Sequence, residues 1–151
     1  CSSDLKLTDK TGTSEKKRVL KRVNFSSATS PTNYQVTIDD ELEKQGTEYV
    51  PVFDKYMTVF IDDMSMPYVN KWGDQVTLEL VRQLLEFGSY YHIEPDIRGQ
   101  LKKLNRLSFV AAMNHPKGGK NDIPNRLKRH FFTFNMVLPN QQSINDIYGK
   151  I

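Results

Sequence analysis

The chain has 151 residues, enough for one domain with a real apolar core. Apolar residues make up 38% and charges of both signs are interspersed, which excludes a disordered polyelectrolyte, while a net charge of +3 neither demands nor excludes a polyanionic partner. The one cysteine, Cys1, excludes a disulfide framework and fits a reducing compartment, and no apolar run approaches the ~18 residues of a membrane-spanning helix.

The first residues are polar and charged, unlike a secretory leader, and the chain opens without Met, so it reads as a piece of something longer. Residues 1–19 read as a solvated, frayed terminus. "RVNFSS" (22–27) predicts a short strand, with Val23 and Phe25 alternating with polar neighbours. Ser30 followed by Pro31 marks a helix start, because a hydroxyl caps free N–H groups and proline suits the first turn. That helix is expected to run to about Gln45, burying Tyr34, Ile38 and Leu42, with Gly46 as its stop. "YMTVFID" (56–62) is almost continuously apolar, the pattern of a strand covered on both faces of a parallel sheet.

A second helix is predicted over about 74–87, with Val76, Leu80, Val81, Leu84 and Leu85 on one face and Gly88 ending it. Residues 89–105 suggest a hairpin with "DIRGQ" at its turn, and "RLSFVAAM" (106–113) another buried strand. "IPNRLKRHF" reads as a short helix and "FTFNMVLP" as a strand. "NQQSINDIYGK" reads as a last helix with Ile144, Ile147 and Tyr148 facing inward. Helical crossovers between apolar strands predict an α/β fold, a parallel sheet flanked by helices.

Ligands of open parallel sheets sit beyond the carboxyl ends of the strands. Asp62 and Asp63 lie at such an end, where a divalent cation and bound water would make two adjacent carboxylates tolerable. Asp62 would hold a magnesium through water, and Asp63 would orient or deprotonate a water attacking a phosphate. Alternatively, one aspartate faces solvent while the other caps the next turn. "AAMNH" brings Asn114 to the same sheet edge, where an amide could bond both a water and a phosphate oxygen, or simply form a turn before Pro116. His115 has no second His or Cys at metal-ligand spacing and reads as a loop residue. Arg126, Lys128 and Arg129 at the short helix are cations suited to phosphate charge or to solvent.

A phosphate cradle needs two glycines framing four residues, then Lys and Ser/Thr. "TDKTGTSEKK" supplies only Gly12 and Lys16, with Lys17 where the hydroxyl should be, and leaves six residues before the next strand. That is too short for the helix whose N-terminus would hold phosphates. The basic cluster Lys16, Lys17, Arg18, Lys21 and Arg22 lacks aromatic interleaving, so it reads first as a solvated charge run.

Taken together, "VNFSSATSP", "MTVFIDDMSMP", "NKWGDQVTLELVRQLLEFGSYY", "LSFVAAMNHPKGGKNDIPNRLKRHFFTFNMVLP" and "SINDIYGKI" resemble the third AAA+ module of axonemal dynein heavy chains, nearest the outer-arm type. The resemblance covers about residues 22–151. It implies a P-loop NTPase-like AAA+ large subdomain at 22–151, with a degenerate P-loop remnant or disordered N-terminus at 1–21 and without the helical lid. It further implies that Asp62 sits on magnesium, that Asp63 takes the place of the usual glutamate base, and that Asn114 is the sensor. Arg126 matches the arginine finger acting on the neighbouring module, and Gly12 and Lys16 would be what remains of a cofactor-binding loop.

The implied cofactors are ATP or ADP with Mg2+. The implied partners are neighbouring AAA+ modules of the same heavy chain and, through the parent, microtubules and dynein intermediate and light chains, in the cytoplasm and the axoneme of a cilium or flagellum. A membrane or nucleic acid is not expected. "SMP" (65–67) and "PKGGK" depart from the family's usual turns, and "EYVPVF" stands where it has a Gly-Pro-Pro loop. The isolated chain is expected to be a poor ATPase, and the alternative reading is a non-hydrolysing AAA+-like scaffold with a decayed P-loop.

Overall fold

The structure is a computed structural model that describes residues 17–116 and 121–149. Gly12 and Lys16 lie outside the described residues, and so does most of the 1–21 segment. At the centre is a parallel three-stranded sheet in the order β1 (Arg18–Asn24), β4 (Tyr56–Asp62), β7 (Leu107–Ala111). Two crossovers build it. The first carries α1 (Pro31–Asp39) and a hairpin of β2 (Leu42–Gln45) and β3 (Glu48–Pro51); the second carries α2 (Val76–Phe87) and a hairpin of β5 (Ser89–Tyr91) and β6 (Leu101–Lys103). Then come α3 (Asn125–Lys128) and α4 (Gln141–Tyr148).

Met57, Val59 and Ile61 alternate along β4 and are fully buried, as period-two geometry requires. They meet Tyr34 and Ile38 of α1 and Leu78, Val81 and Leu84 of α2 in one apolar cluster. Successive right-handed crossovers that advance in one direction put both helices on the same face. The other face of the sheet is therefore open among the described residues. Leu20 and Val110 are exposed there, Phe60 is half-buried, and the Thr58 and Ser108 hydroxyls bond each other at 2.9 Å. The apolar run at 56–62 thus marks a central strand, but not one covered on both sides.

Helix α1 starts as expected: the Ser30 side chain accepts from the Asn33 N–H and proline occupies the first turn. It ends at Asp39, not near Gln45. Asp39, Asp40 and Glu41 put negative charge at the end of the helix dipole that is already negative, which opposes further turns. Gly46 is instead the left-handed residue (φ 64°) opening the two-residue turn between Gln45 and Glu48. Leu42 still packs against the core, from a strand. Helix α2 ends as expected on left-handed Gly88, whose N–H returns to the Leu84 carbonyl, whereas Val76 is exposed rather than buried.

Residues 132–139 form no strand, and Phe132 and Leu138 are 93% and 91% exposed. Alternation alone does not make a strand without a ladder partner, and this segment pairs with none of the described strands. Ile144, Ile147 and Tyr148 of α4, expected to face inward, are exposed as well. The helix is capped locally, by the Asn140 side chain accepting from the Ser143 N–H, rather than held by burial.

Candidate functional site

Strand register decides what meets at the carboxyl end of the sheet. Val23 lies opposite Ile61 and Asn24 opposite Asp62 on one side, and Ile61 lies opposite Ala111 on the other. The backbone keeps bonding past the strand ends: Phe25 N–H donates to the Asp62 carbonyl at 2.9 Å, and Met64 N–H to the Ala112 carbonyl at 3.0 Å. This fastens the tip of β4 between its neighbours and sets the two aspartates where three segments converge.

The carboxylates then part company. Asp62 continues the alternation and points to the open face with Phe60, half-buried. One of its oxygens accepts from the Asp63 backbone N–H at 3.1 Å, and the other is 2.5 Å from the Arg22 guanidinium. Asp63 is left-handed (φ 53°), which turns its exposed side chain toward β7. Aspartate tolerates this conformation better than most residues. Asn114, three residues past β7, donates its amide to Asp63 Oδ1 at 3.4 Å. Mutual repulsion is thus relieved by divergence, by Arg22 and by exposure. A cation is not needed to make the pair tolerable.

The turn after the strand is pinned from inside. Met64, Ser65 and Pro67 are buried, and the buried Gln75 amide donates to the Pro67 carbonyl at 2.9 Å. The Asn70 side chain accepts the N–H groups of Trp72 and Asp74, each at 2.9 Å. Gln75 carries no residue pattern of its own, and Arg22 reads from the sequence only as part of the basic run and as a polar neighbour of Val23 in the strand.

Arg126 is not brought to the acidic tip. Its guanidinium pairs with Asp74 at 3.3 Å and with Glu79 at 2.7 Å, and it is about half exposed. Lys128 bonds Asp122 and holds that carboxyl below the usual carboxylate range. Arg129 pairs with Glu86. In the basic cluster, Lys21 pairs with Glu41 at 2.7 Å and Arg22 with Asp62, so two of the four of its charges among the described residues are already matched. His115 is exposed and makes no metal cluster; among the described residues no group of three or more His, Cys, Asp or Glu gathers to hold a metal ion. A cleft of about 280 Å³ opens beside Asn24, lined also by Ser26, Thr29 and Asn33. It lies just under the ~300–1,000 Å³ range usual for small-ligand pockets.

A family model for the P-loop containing dynein motor region matches residues 7–139, a stretch that takes in the acidic tip, Asn114 and Arg126. The chain is 52% identical over 132 residues to the dynein gamma chain of the flagellar outer arm of Chlamydomonas reinhardtii, covering 87% of this chain and 3% of that one. It is 49% identical over 134 residues to dynein axonemal heavy chain 5 of Mus musculus, covering 88% and 3%. With human dynein axonemal heavy chain 10 it shares 34% identity over 139 residues. The chain therefore spans about 3% of the length of these relatives. The matched stretch takes in the whole three-stranded parallel sheet and the helices of its two crossovers, and the chain belongs to the family of P-loop containing dynein motor regions.

Proposed function

We propose that the chain is the nucleotide-binding, regulatory AAA+ module, third in the ring, of an axonemal dynein heavy chain. In the parent it serves an ATP-driven microtubule motor of cilia or flagella. The observation that carries this reading is the approach of Asn114 to Asp63 across two adjacent parallel strands, one residue from Asp62. Family membership and the axonemal relatives support it further.

The donor set fits half of a magnesium–nucleotide site. Magnesium keeps several waters and takes one or two carboxylates plus phosphate oxygens, so a strand tip with the half-buried Asp62 suits it, there being no closed protein cage among the described residues. Asp62 would hold the ion through water, and the ion would neutralise phosphate charge. Asp63 would orient a water or take its proton, and the Asn114 amide, already bonded to Asp63, would fix that carboxylate and bond the same water. Arg126, which pairs with Asp74 and with Glu79 of α2 rather than with Asp62 or Asp63, suits a role toward the neighbouring module's nucleotide. The other half, Gly12 and Lys16, belongs to the degenerate loop. Binding rather than turnover is therefore the activity expected of this chain alone.

Titration of the full chain with a fluorescent ATP analogue tests the proposal. Binding that needs magnesium and falls at least tenfold on Asp62→Ala is expected, because loss of a buried or bridging charge contact typically removes ~1.5–3 kcal/mol. Magnesium-independent binding, or none with folded protein, would favour the scaffold reading.

A further inference from the structure

Arg22 is the one cation that reaches the acidic tip among the ion pairs of the described residues. Register explains why. Arg22 lies opposite Phe60 and two residues before Asn24, which lies opposite Asp62, so Arg22, Phe60 and Asp62 share the open face of the sheet. The side chain runs along that face toward the strand ends. Its guanidinium carbon is 5.8 Å from the Phe60 ring centre, its Nε donates to Asn24 Oδ1 at 3.1 Å, and its Nη2 reaches Asp62 Oδ2 at 2.5 Å. Stacking, amide and carboxylate contacts together aim a planar cation at the oxygen of Asp62 that the Asp63 backbone N–H does not occupy.

We propose that Arg22 is a resident counter-ion for Asp62, displaced when a divalent cation enters, and so a positioning residue that sets the cation affinity of the site. This rests on the reading of Asp62 as the magnesium carboxylate. The strength of the pair matters. Arg22 is 62% exposed on its side chain, and ion pairs of that kind are weak and screened by salt. Such a contact holds the carboxylate in one rotamer while the site is free and yields to a doubly charged ion. A fully buried pair would not yield. Because cation and guanidinium compete for one oxygen, the occupant of Asp62 depends on ionic strength and on cation concentration together.

The test is a manganese titration of the full chain, with manganese alone as the probe and the free-ion paramagnetic resonance signal as the readout. Arg22→Gln keeps length and a hydrogen-bonding amide but removes the charge. It is expected to tighten manganese binding about three- to tenfold, from the loss of the competing pair and of charge repulsion. The gain should vanish when Asp62→Asn is added, a dependence that a merely structural role of Arg22 would not show. Arg22→Lys keeps the charge but not the planar fork and should fall between, which protects the test should the glutamine variant fold poorly. Asp62-dependent binding that Arg22→Gln leaves unchanged or weakens would overturn the counter-ion role and leave the Asp62 reading standing. Binding indifferent to Asp62→Asn in every background would overturn both.

Discussion

Replacing Asp39 with alanine is expected to lower the unfolding free energy by about 3 kcal/mol, because it strips the partner from a buried charge. Lys102 is 6% exposed, and its ammonium lies 2.7 Å from Asp39 Oδ1 and 4.0 Å from the Tyr49 ring centre. The Tyr90 hydroxyl donates to the same carboxylate oxygen. Burial, reinforced by that hydrogen bond, pushes the Tyr90 phenol well above its usual range, so it remains a donor. The cluster ties the end of α1 to the β5–β6 hairpin. Gln35 makes a second tie one turn earlier, donating to the Tyr91 carbonyl and accepting from the Ile93 N–H. Removing Asp39 leaves an ammonium and a phenol unsatisfied at once. Adding Lys102→Met should restore most of the loss, since an apolar side chain of similar length carries no charge to compensate. Urea midpoints of the two variants check this, and equal destabilisation of both would mean that the ion pair is not the source.

The second large effect is expected at Ile61, which is fully buried in the residue before Asp62. Ile61→Ala should cost about 3 kcal/mol through lost transfer energy and the cavity left behind, and Ile61→Val about 1 kcal/mol. The consequence reaches the site. The Ile61 carbonyl accepts from Ala112 N–H at 2.8 Å, so this residue joins the strand tips that carry the aspartates and lead to Asn114. Ile61→Ala should therefore speed amide hydrogen exchange at Ala112 and Met64 before the rest of the sheet, and protection unchanged there would contradict the proposed rigidity of the tip.

How much of this was legible in the chain depended on whether the signal was local. Strand β4 was readable to the residue, because an apolar run bounded by Lys55 and two aspartates leaves little choice. Helix α2 and the β5–β6 hairpin were readable from 3.6-residue spacing and from Gly88, Pro95 and Gly99. The end of α1 was not. Leu42 continues the i, i+4 spacing of Tyr34 and Ile38, and only the acidic run and the Gly46 turn reveal the hairpin. Residues 132–139 and α4 carry the pattern of buried elements but not the burial, since periodicity specifies a face and not what covers it.

The same distinction holds at the site. That Asp63 and Asn114 share a sheet edge followed from parallel topology. That Arg22 reaches Asp62 depended on the register of β1 against β4, and a slip of one residue would have turned Arg22 to the other face. Arg126 beside Asp74 and Glu79 likewise required the packing of α3 on α2.

The proposed cation site at Asp62, with Asp63 and Asn114 beside it, is most directly tested by paramagnetic broadening. Manganese with ATP, added to the 15N-labelled full chain, should broaden the Asp63 backbone amide and the Asn114 side-chain amide first, and Asp62→Asn should abolish the effect. Broadening that spares both amides, or that persists in the Asp62→Asn variant, would contradict a metal-and-nucleotide site at the end of β4.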